Sequence, residues 1–317
     1  MSAVGTQPAV PAPPAAVPGD TQRFADRSRP AEGAEPGVPA EDSLHRLERE
    51  AHVWYANPDD LAVLEGRYRA ILSPAERLRY SRFHFARDRL SYLAAHALLR
   101  LTLSRYAALP PKSWRFTTNQ HCRPELAPTH TQLGLHFNLS HTEGLVACVV
   151  ARHPCGIDVE SALRSLHPLH LTPAFSAPEL AALKASPPEE LSESVLAYWT
   201  LKEAYAKARG LGLALPFNQV SFTDPVPGAE IRVSFAEGLG DREHDWQFTL
   251  MELAPSHLCA VAVRSNAKPV SFVTRRVDLS RPSAPWATVR RRPRTKLLLS
   301  SPPRERFDER RRSAEDQ

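Results

Sequence analysis

The stretch Trp199-Thr200-Leu201-Lys202-Glu203-Ala204-Tyr205-Ala206-Lys207-Ala208-Arg209-Gly210-Leu211-Gly212-Leu213 decides how this chain is read. It predicts a helix carrying Lys202, Glu203 and Lys207 near its end, stopped by glycine. Glu203 and Lys207 are four apart and share one helix face. An acid framed by two lysines suits a metal-bound phosphate ester better than it suits packing. Upstream, Gly156-Ile157-Asp158-Val159-Glu160 offers two more carboxylates.

Working outward, the helix starts near Glu189, with Leu191, Val195, Leu196 and Trp199 on its apolar side. Pro178-Glu179-Leu180 opens a shorter helix before it. Strands are predicted at 220–222, 231–235, 246–250 and 258–263. Ahead of the acidic motif, His136–Leu139 alternates, with Phe137 and Leu139 on one face and Asn138 and Ser140 on the other. Leu145–Val150 reads as a buried strand. Trp114-Arg115-Phe116 is strand-like, and Arg123-Pro124-Glu125-Leu126 reads as a loop. Ser73-Pro74-Ala75-Glu76 carries a helix-start signature. Leu90, Leu93, Ala94, Ala97, Leu98 and Leu101 then mark an amphipathic helix from Leu90 to Tyr106, ended by Pro110-Pro111. Helix then strands, twice over, predicts an α+β fold of two similar halves.

The ends of the chain differ from this middle. Pro 30 against Gly 13 is an unusual balance, and the prolines cluster. Residues 1–42 are Pro/Ala-rich with few large apolar side chains, a composition that predicts disorder. Residues 267–317 lack sustained periodicity and carry Arg290-Arg291-Arg292-Pro293-Arg294 and Arg310-Arg311-Arg312. The expected organisation is therefore 1–42 as a tail, 43–152 as a first α+β subdomain, 153–266 as a second, and 267–317 as an Arg-rich tail. From Arg275 onward thirteen Arg/Lys face six Asp/Glu, a surplus of seven, whereas the whole chain is only +5. The basic balance belongs to that tail, so nucleic-acid binding is not expected of the fold. Cys122, Cys148, Cys155 and Cys259 show no zinc spacing. No signal-peptide pattern or membrane-length apolar run occurs. A cytoplasmic, monomeric protein is expected.

Asp158 and Glu160, two apart on a strand, leave one face about 7 Å apart, and Glu203 can approach from its helix. Three carboxylates at one point need a cation, and hard oxygen ligands suit Mg²⁺. Taken alone, D-x-E on a strand edge reads as a solvated polar face. Asn138-Leu139-Ser140-His141 offers donors for a phosphate, or simply a turn that satisfies backbone groups. Arg123 offers a cation on a proline-stiffened backbone, or an exposed loop arginine.

In order, Arg123-Pro124-Glu125-Leu126, Phe137-Asn138-Leu139-Ser140-His141, the G-I-D-V-E motif and W-x-x-K-E-A-x-x-K-x-x-G-x-G-L resemble the Sfp-type 4′-phosphopantetheinyl transferases. The similarity runs from about Leu72 to Val263. It implies two pseudo-twofold-related α+β halves with the site at their junction. It implies transfer of phosphopantetheine from coenzyme A to a serine of an acyl or peptidyl carrier protein, releasing adenosine 3′,5′-bisphosphate. Asp158, Glu160 and Glu203 would be the Mg²⁺ ligands, with Glu203 also the candidate base. Lys207 would stabilise charge on the diphosphate, with Lys202 part of the same basic ring. Arg79, Arg123, Ser140 and His141 would hold the phosphates of coenzyme A. Two departures stand out: Cys122 replaces a frequent Gly, and Ser91 replaces a frequent Arg, for which Arg87 or Arg89 would substitute. A non-catalytic coenzyme A or carrier-binding protein on the same fold is the alternative, as is a surface binder acting through the tail. Peptide, polyketide, fatty-acid and lysine-pathway carriers remain open as targets.

Overall fold

The computed structural model describes residues 44–163, 171–253 and 256–281, and the backbone of 287–289. The first half begins with strand β1 (Glu50–Ala56). Helices α1 (Glu65–Ile71), α2 (Pro74–Ser81) and α3 (Ala86–Leu103) follow. A short hairpin, β2 (Phe116–Thr118) and β3 (Pro124–Leu126), leads to β4 (His136–Thr142) and β5 (Leu145–Ala151). The second half holds β6 (Cys155–Ser161), α4 (Ala177–Ala185) and α5 (Leu191–Arg209). It continues with β7 (Val220–Thr223), β8 (Arg232–Phe235), β9 (Trp246–Leu253) and β10 (His257–Arg264). The chain then returns through β11 (Ser271–Arg276) and β12 (Ala287–Val289) to the first sheet, ordered β12-β11-β1-β5-β4. The second sheet is β6-β10-β9.

Each half packs a long helix on one face of its sheet. Trp54, Val146, Cys148 and Val150 meet Leu93, Ala97 and Leu98 of α3. Leu250, Ala260 and Ala262 meet Leu201, Ala204 and Tyr205 of α5. The opposite faces pack on each other: Val53, Tyr55, Ala147 and Val149 against Ile157, Val159, Val261 and Val263. The protein is thus an α+β fold of two like halves, sheet against sheet, with a helix outside each. Among the described residues no helix is long and apolar enough to cross a membrane.

Local chemistry fixes the helix ends. Ser73 and Glu76 form a reciprocal cap at α2, and Ser176 and Glu179 do the same at α4; each satisfies two orphan donors of a first turn. Gly210 ends α5 with φ +69°, a left-handed position that glycine adopts without steric cost. The expected helix to Tyr106 stops at Leu103 instead. Tyr106 turns inward, where its hydroxyl lies 2.6 Å from His52 Nδ1 and accepts from Trp54 Nε1.

Two expectations need correction. Pro124–Leu126 is a strand paired with β2, not a loop. The boundary at 266 is also wrong, because β11 pairs in parallel with β1 from Glu50↔Ser271 to Tyr55↔Arg276. Beyond it Val277 and Leu279 are buried, and Tyr68 donates to the Leu279 carbonyl at 2.8 Å. These residues close the first core. The Pro/Ala-rich segment 1–42 and the arginine clusters at 290–294 and 310–312 lie outside the described residues.

Candidate active site

The two sheets meet edge to edge at β4 and β6. Among the described residues strand β6 has no partner strand on that edge, so its outward N–H groups need acceptors. Side chains of β4 supply them. Ile157 N donates to Asn138 Oδ1 at 3.0 Å, and Val159 N donates to Ser140 Oγ at 3.2 Å. The N-x-S spacing therefore clasps the seam, and it sets Ser140 beside Asp158. Ser140 Oγ donates to Asp158 Oδ1 at 3.0 Å. Lys207 Nζ reaches both, at 3.0 Å from Ser140 Oγ and 2.6 Å from Asp158 Oδ1.

Asp158 and Glu160 are 5% and 7% exposed, which rules out the solvated-face reading of D-x-E. They lie on the face of β6 that α5 covers. Helix and strand approach closely because Gly156 has no side chain. A Cβ there would sit 2.1 Å from the Ala204 carbonyl oxygen and 2.3 Å from Ala208 N. Those are backbone atoms and cannot swing aside. Gly156→Ala should push α5 off the sheet and move Glu203 and Lys207 from the carboxylates. A displacement near 1 Å at a catalytic centre costs on the order of a hundredfold in rate. Single-turnover assays on the folded fraction, sized by gel filtration, check this.

Burial, and then the neighbouring charges of Asp158 and Glu160, push the Glu203 carboxyl up to about 6, against the opposing pull of Lys207. Three acids thus share one field with one ammonium among them. Asp158 Oδ2 is buried and lacks a hydrogen-bond partner. Among the described residues no group of three or more His, Cys, Asp or Glu closes into a metal cage; Lys207 is the cation paired with Asp158 here. The partnerless Oδ2 and the mutual repulsion at Glu203 both fit a further cation among these oxygens.

His141 is exposed at the end of β4. Desolvation and then the Lys207 charge hold its pKa below the ordinary imidazole value. The start of α3 lies alongside. Asp88 is within electrostatic reach of His141, and Arg87 pairs with Glu143 at 3.0 Å in the β4–β5 turn. Arg89 lies over the Tyr80 ring and Arg79 over Tyr92, each at 5.9 Å. Ser91 is buried.

Two residues expected in the phosphate ring are elsewhere. Lys202 is fully buried on the far side of α5, 2.8 Å from Glu179 Oε2, and donates to the carbonyls of Phe217 and Val220. Glu179 in turn accepts from Phe222 N at 2.9 Å. Lys202 fastens the helix to the segment before β7; being next to Glu203 in sequence, it faces the other way. Lys202→Met leaves Glu179 buried and unpaired, so we expect a loss of about 3–5 kcal/mol in urea unfolding. Activity per folded molecule should be unchanged. Arg123 donates to the carbonyls of Ala208 (2.9 Å), Cys155 (3.0 Å) and Phe137 (3.4 Å). It ties the β2–β3 hairpin to the end of α5, at the opposite ends of β4 and β6 from His141. Cys122 before it has φ +61°, a conformation that favours glycine.

Sequence signals could have found part of this. Asn138 is expected on a polar face and in a donor cluster, yet its spacing from Ser140 matches the two outward N–H groups of β6. Gly156 gave no signal separable from any glycine in a strand.

Comparison with known proteins identifies the family. Residues 154–262 match the 4′-phosphopantetheinyl transferase superfamily, and residues 57–153 match the 4′-phosphopantetheinyl transferase N-terminal family. The chain is 32% identical to 4′-phosphopantetheinyl transferase HetI of Nostoc sp. over 71% of this chain and 92% of that one. It is 31% identical to 4′-phosphopantetheinyl transferase Sfp of Bacillus subtilis over 49% of this chain and 67% of that one. A crystal structure of Helicobacter pylori holo-[acyl-carrier-protein] synthase in complex with coenzyme A aligns with 34% of this chain and 97% of that one, at 21% identity and TM-score 0.27. The chain belongs to the 4′-phosphopantetheinyl transferase superfamily. It is an enzyme of that class.

Proposed function

We propose that the protein transfers the phosphopantetheine arm of coenzyme A to a serine of an apo carrier protein, with Mg²⁺ as its cofactor. The observation that carries this reading is the cluster at the seam of buried Asp158 and Ser140 with half-buried Lys207, and the Glu203 carboxyl pushed up to about 6 beside it. Asp158, Glu160 and Glu203 would hold the metal, and a divalent cation there supplies neutralisation of diphosphate charge. Transfer of this kind depends on positioning and charge more than on covalent intermediates.

In this reading His141 and the arginines at the start of α3, with Arg79, attract the phosphates of coenzyme A. Lys207 places positive charge at the diphosphate. Glu203 takes the proton from the carrier serine hydroxyl, directly or through a water. The serine oxygen then bonds to the phosphorus that bears pantetheine. The bond from that phosphorus to the bridging oxygen breaks, and adenosine 3′,5′-bisphosphate leaves. Arg123 and Lys202 act at a distance, by holding hairpin and helix.

Incubation of the full chain with coenzyme A, Mg²⁺ and several apo carriers should add one phosphopantetheine per carrier serine by mass spectrometry, and EDTA should stop it. Full turnover in EDTA would remove the metal from the reading. His141→Ala should raise the KM for coenzyme A by about tenfold or more, the loss of one charge-assisted phosphate contact.

A further inference from the structure

A second cleft, of about 420 Å³, opens at the other end of the same seam. Strand β4 runs from His136 in this cleft to His141 at the catalytic end. Five residues of strand separate them, about 16 Å. The cleft also touches Pro154, just before β6, and the last turn of α5. Three arginines line it, Arg123, Arg209 and Arg264, together with His136 and Trp246; Glu125 is the only acid lining it.

The charges there are unevenly matched. Arg209 is neutralised by Asp241, whereas Arg264 stands 3.9 Å from that same carboxylate. Arg123 is bonded to carbonyls alone. Burial, then the charges of Arg123 and His153, press the His136 imidazole below its ordinary pKa. Among the described residues three donors of side chains lining the cleft have no hydrogen-bond partner: Arg123 Nε, Arg264 Nε and Trp246 Nε1. Trp246 is only 5% exposed. Buried donors without acceptors are rare in folded proteins, and three about one cationic cleft point to an acceptor-rich ligand.

We propose that this cleft is a second binding site, separate from the transfer site, for a phosphate group. Besides the paired Arg209, the cleft's basic groups come from separate elements: His136 from β4, Arg264 from β10 and Arg123 beside β3. Guanidinium groups are the side chains best suited to a multiply charged phosphate group. The group is either free phosphate or the terminal phosphate of a small organic phosphate.

The test titrates inorganic phosphate and glycerol phosphate separately into the full chain, with coenzyme A saturating. Thermal shift and tryptophan fluorescence are the readouts. Phosphate should raise the midpoint in the wild type. Arg264→Gln, a change at a part-exposed side chain, should weaken that response about tenfold, the worth of one charge-assisted contact. His136→Gln should weaken it in the same direction. Both variants should keep the transfer rate within twofold, and His141→Ala should keep the phosphate response. Tighter binding of glycerol phosphate identifies an organic phosphate as the ligand; equal binding identifies the free ion. A response that survives Arg264→Gln and disappears in His141→Ala would place the phosphate in the transfer site and overturn the proposal. So would the absence of any response at tens of millimolar phosphate.

Discussion

Glu203→Gln should lower single-turnover transfer by the roughly 10²–10⁴-fold that accompanies loss of a general base, with coenzyme A still bound. The substitution keeps the shape and one oxygen while removing charge and basicity. Burial, and then the charges of Asp158 and Glu160 against the pull of Lys207, raise the Glu203 pKa to about 6, which suits the proton-accepting role proposed for it. Asp158→Asn should behave differently. Asp158 is tied to Ser140 and Lys207, so its loss mainly weakens cation affinity, and excess Mg²⁺ should restore part of the rate. The double variant should fall short of the product of the singles, because the residues act as one cluster. The deciding measurement is single-turnover rate against Mg²⁺ concentration for both variants. If high Mg²⁺ restores Glu203→Gln as fully as Asp158→Asn, Glu203 is a ligand and another group takes the proton.

Ending the chain at Asn266 should abolish folding, whereas ending it after residue 289 should not. The short form loses β11, leaving the Tyr55 edge of β1 unpaired on that side. It also removes Val277 and Leu279 from the first core and Val270 from the core between the sheets, and Val273 is buried as well. Each such side chain contributes about 1.5–3 kcal/mol when buried, and together they rival the whole stability of a domain. Circular dichroism and gel filtration of the two forms check this. A cooperative melt of the 1–266 form at the temperature of the full chain would mean that β11 contributes nothing.

The comparison of sequence with structure turns on which signals survive burial. The long helices show their apolar spacing, Ser73 announces its cap, and Pro178-Glu179-Leu180 marks a helix whose cap, Ser176, is not legible in advance. The acidic and lysine motifs were legible because Asp158, Glu160, Glu203 and Lys207 do meet at the seam. Strand β1 was not legible. Val53 and Tyr55 face the second sheet while Trp54 and Ala56 face the first core, so no alternation appears in E-A-H-V-W-Y-A. Its polar residues are masked too, since His52 pairs with Glu50 at 2.7 Å. Strand β11 hid behind Arg275, which lies 5.0 Å over the Trp54 ring although an arginine reads as surface. Lys202 misled for the opposite reason: a lysine beside a catalytic glutamate suggests a phosphate contact, and only the packing shows Glu179 behind it.

The parallel pairing of β1 with β11 also dictates an order of events during synthesis. Glu50 meets Ser271, residues separated by most of the folded chain. A parallel partner so distant cannot be supplied by a local hairpin, and such contacts form slowly. While the ribosome is still making the second half, the first sheet must wait with one side of β1 open. The nascent chain is therefore most prone to association in that interval. Slower translation before codon 271 should lengthen it and lower the soluble yield without altering a single residue.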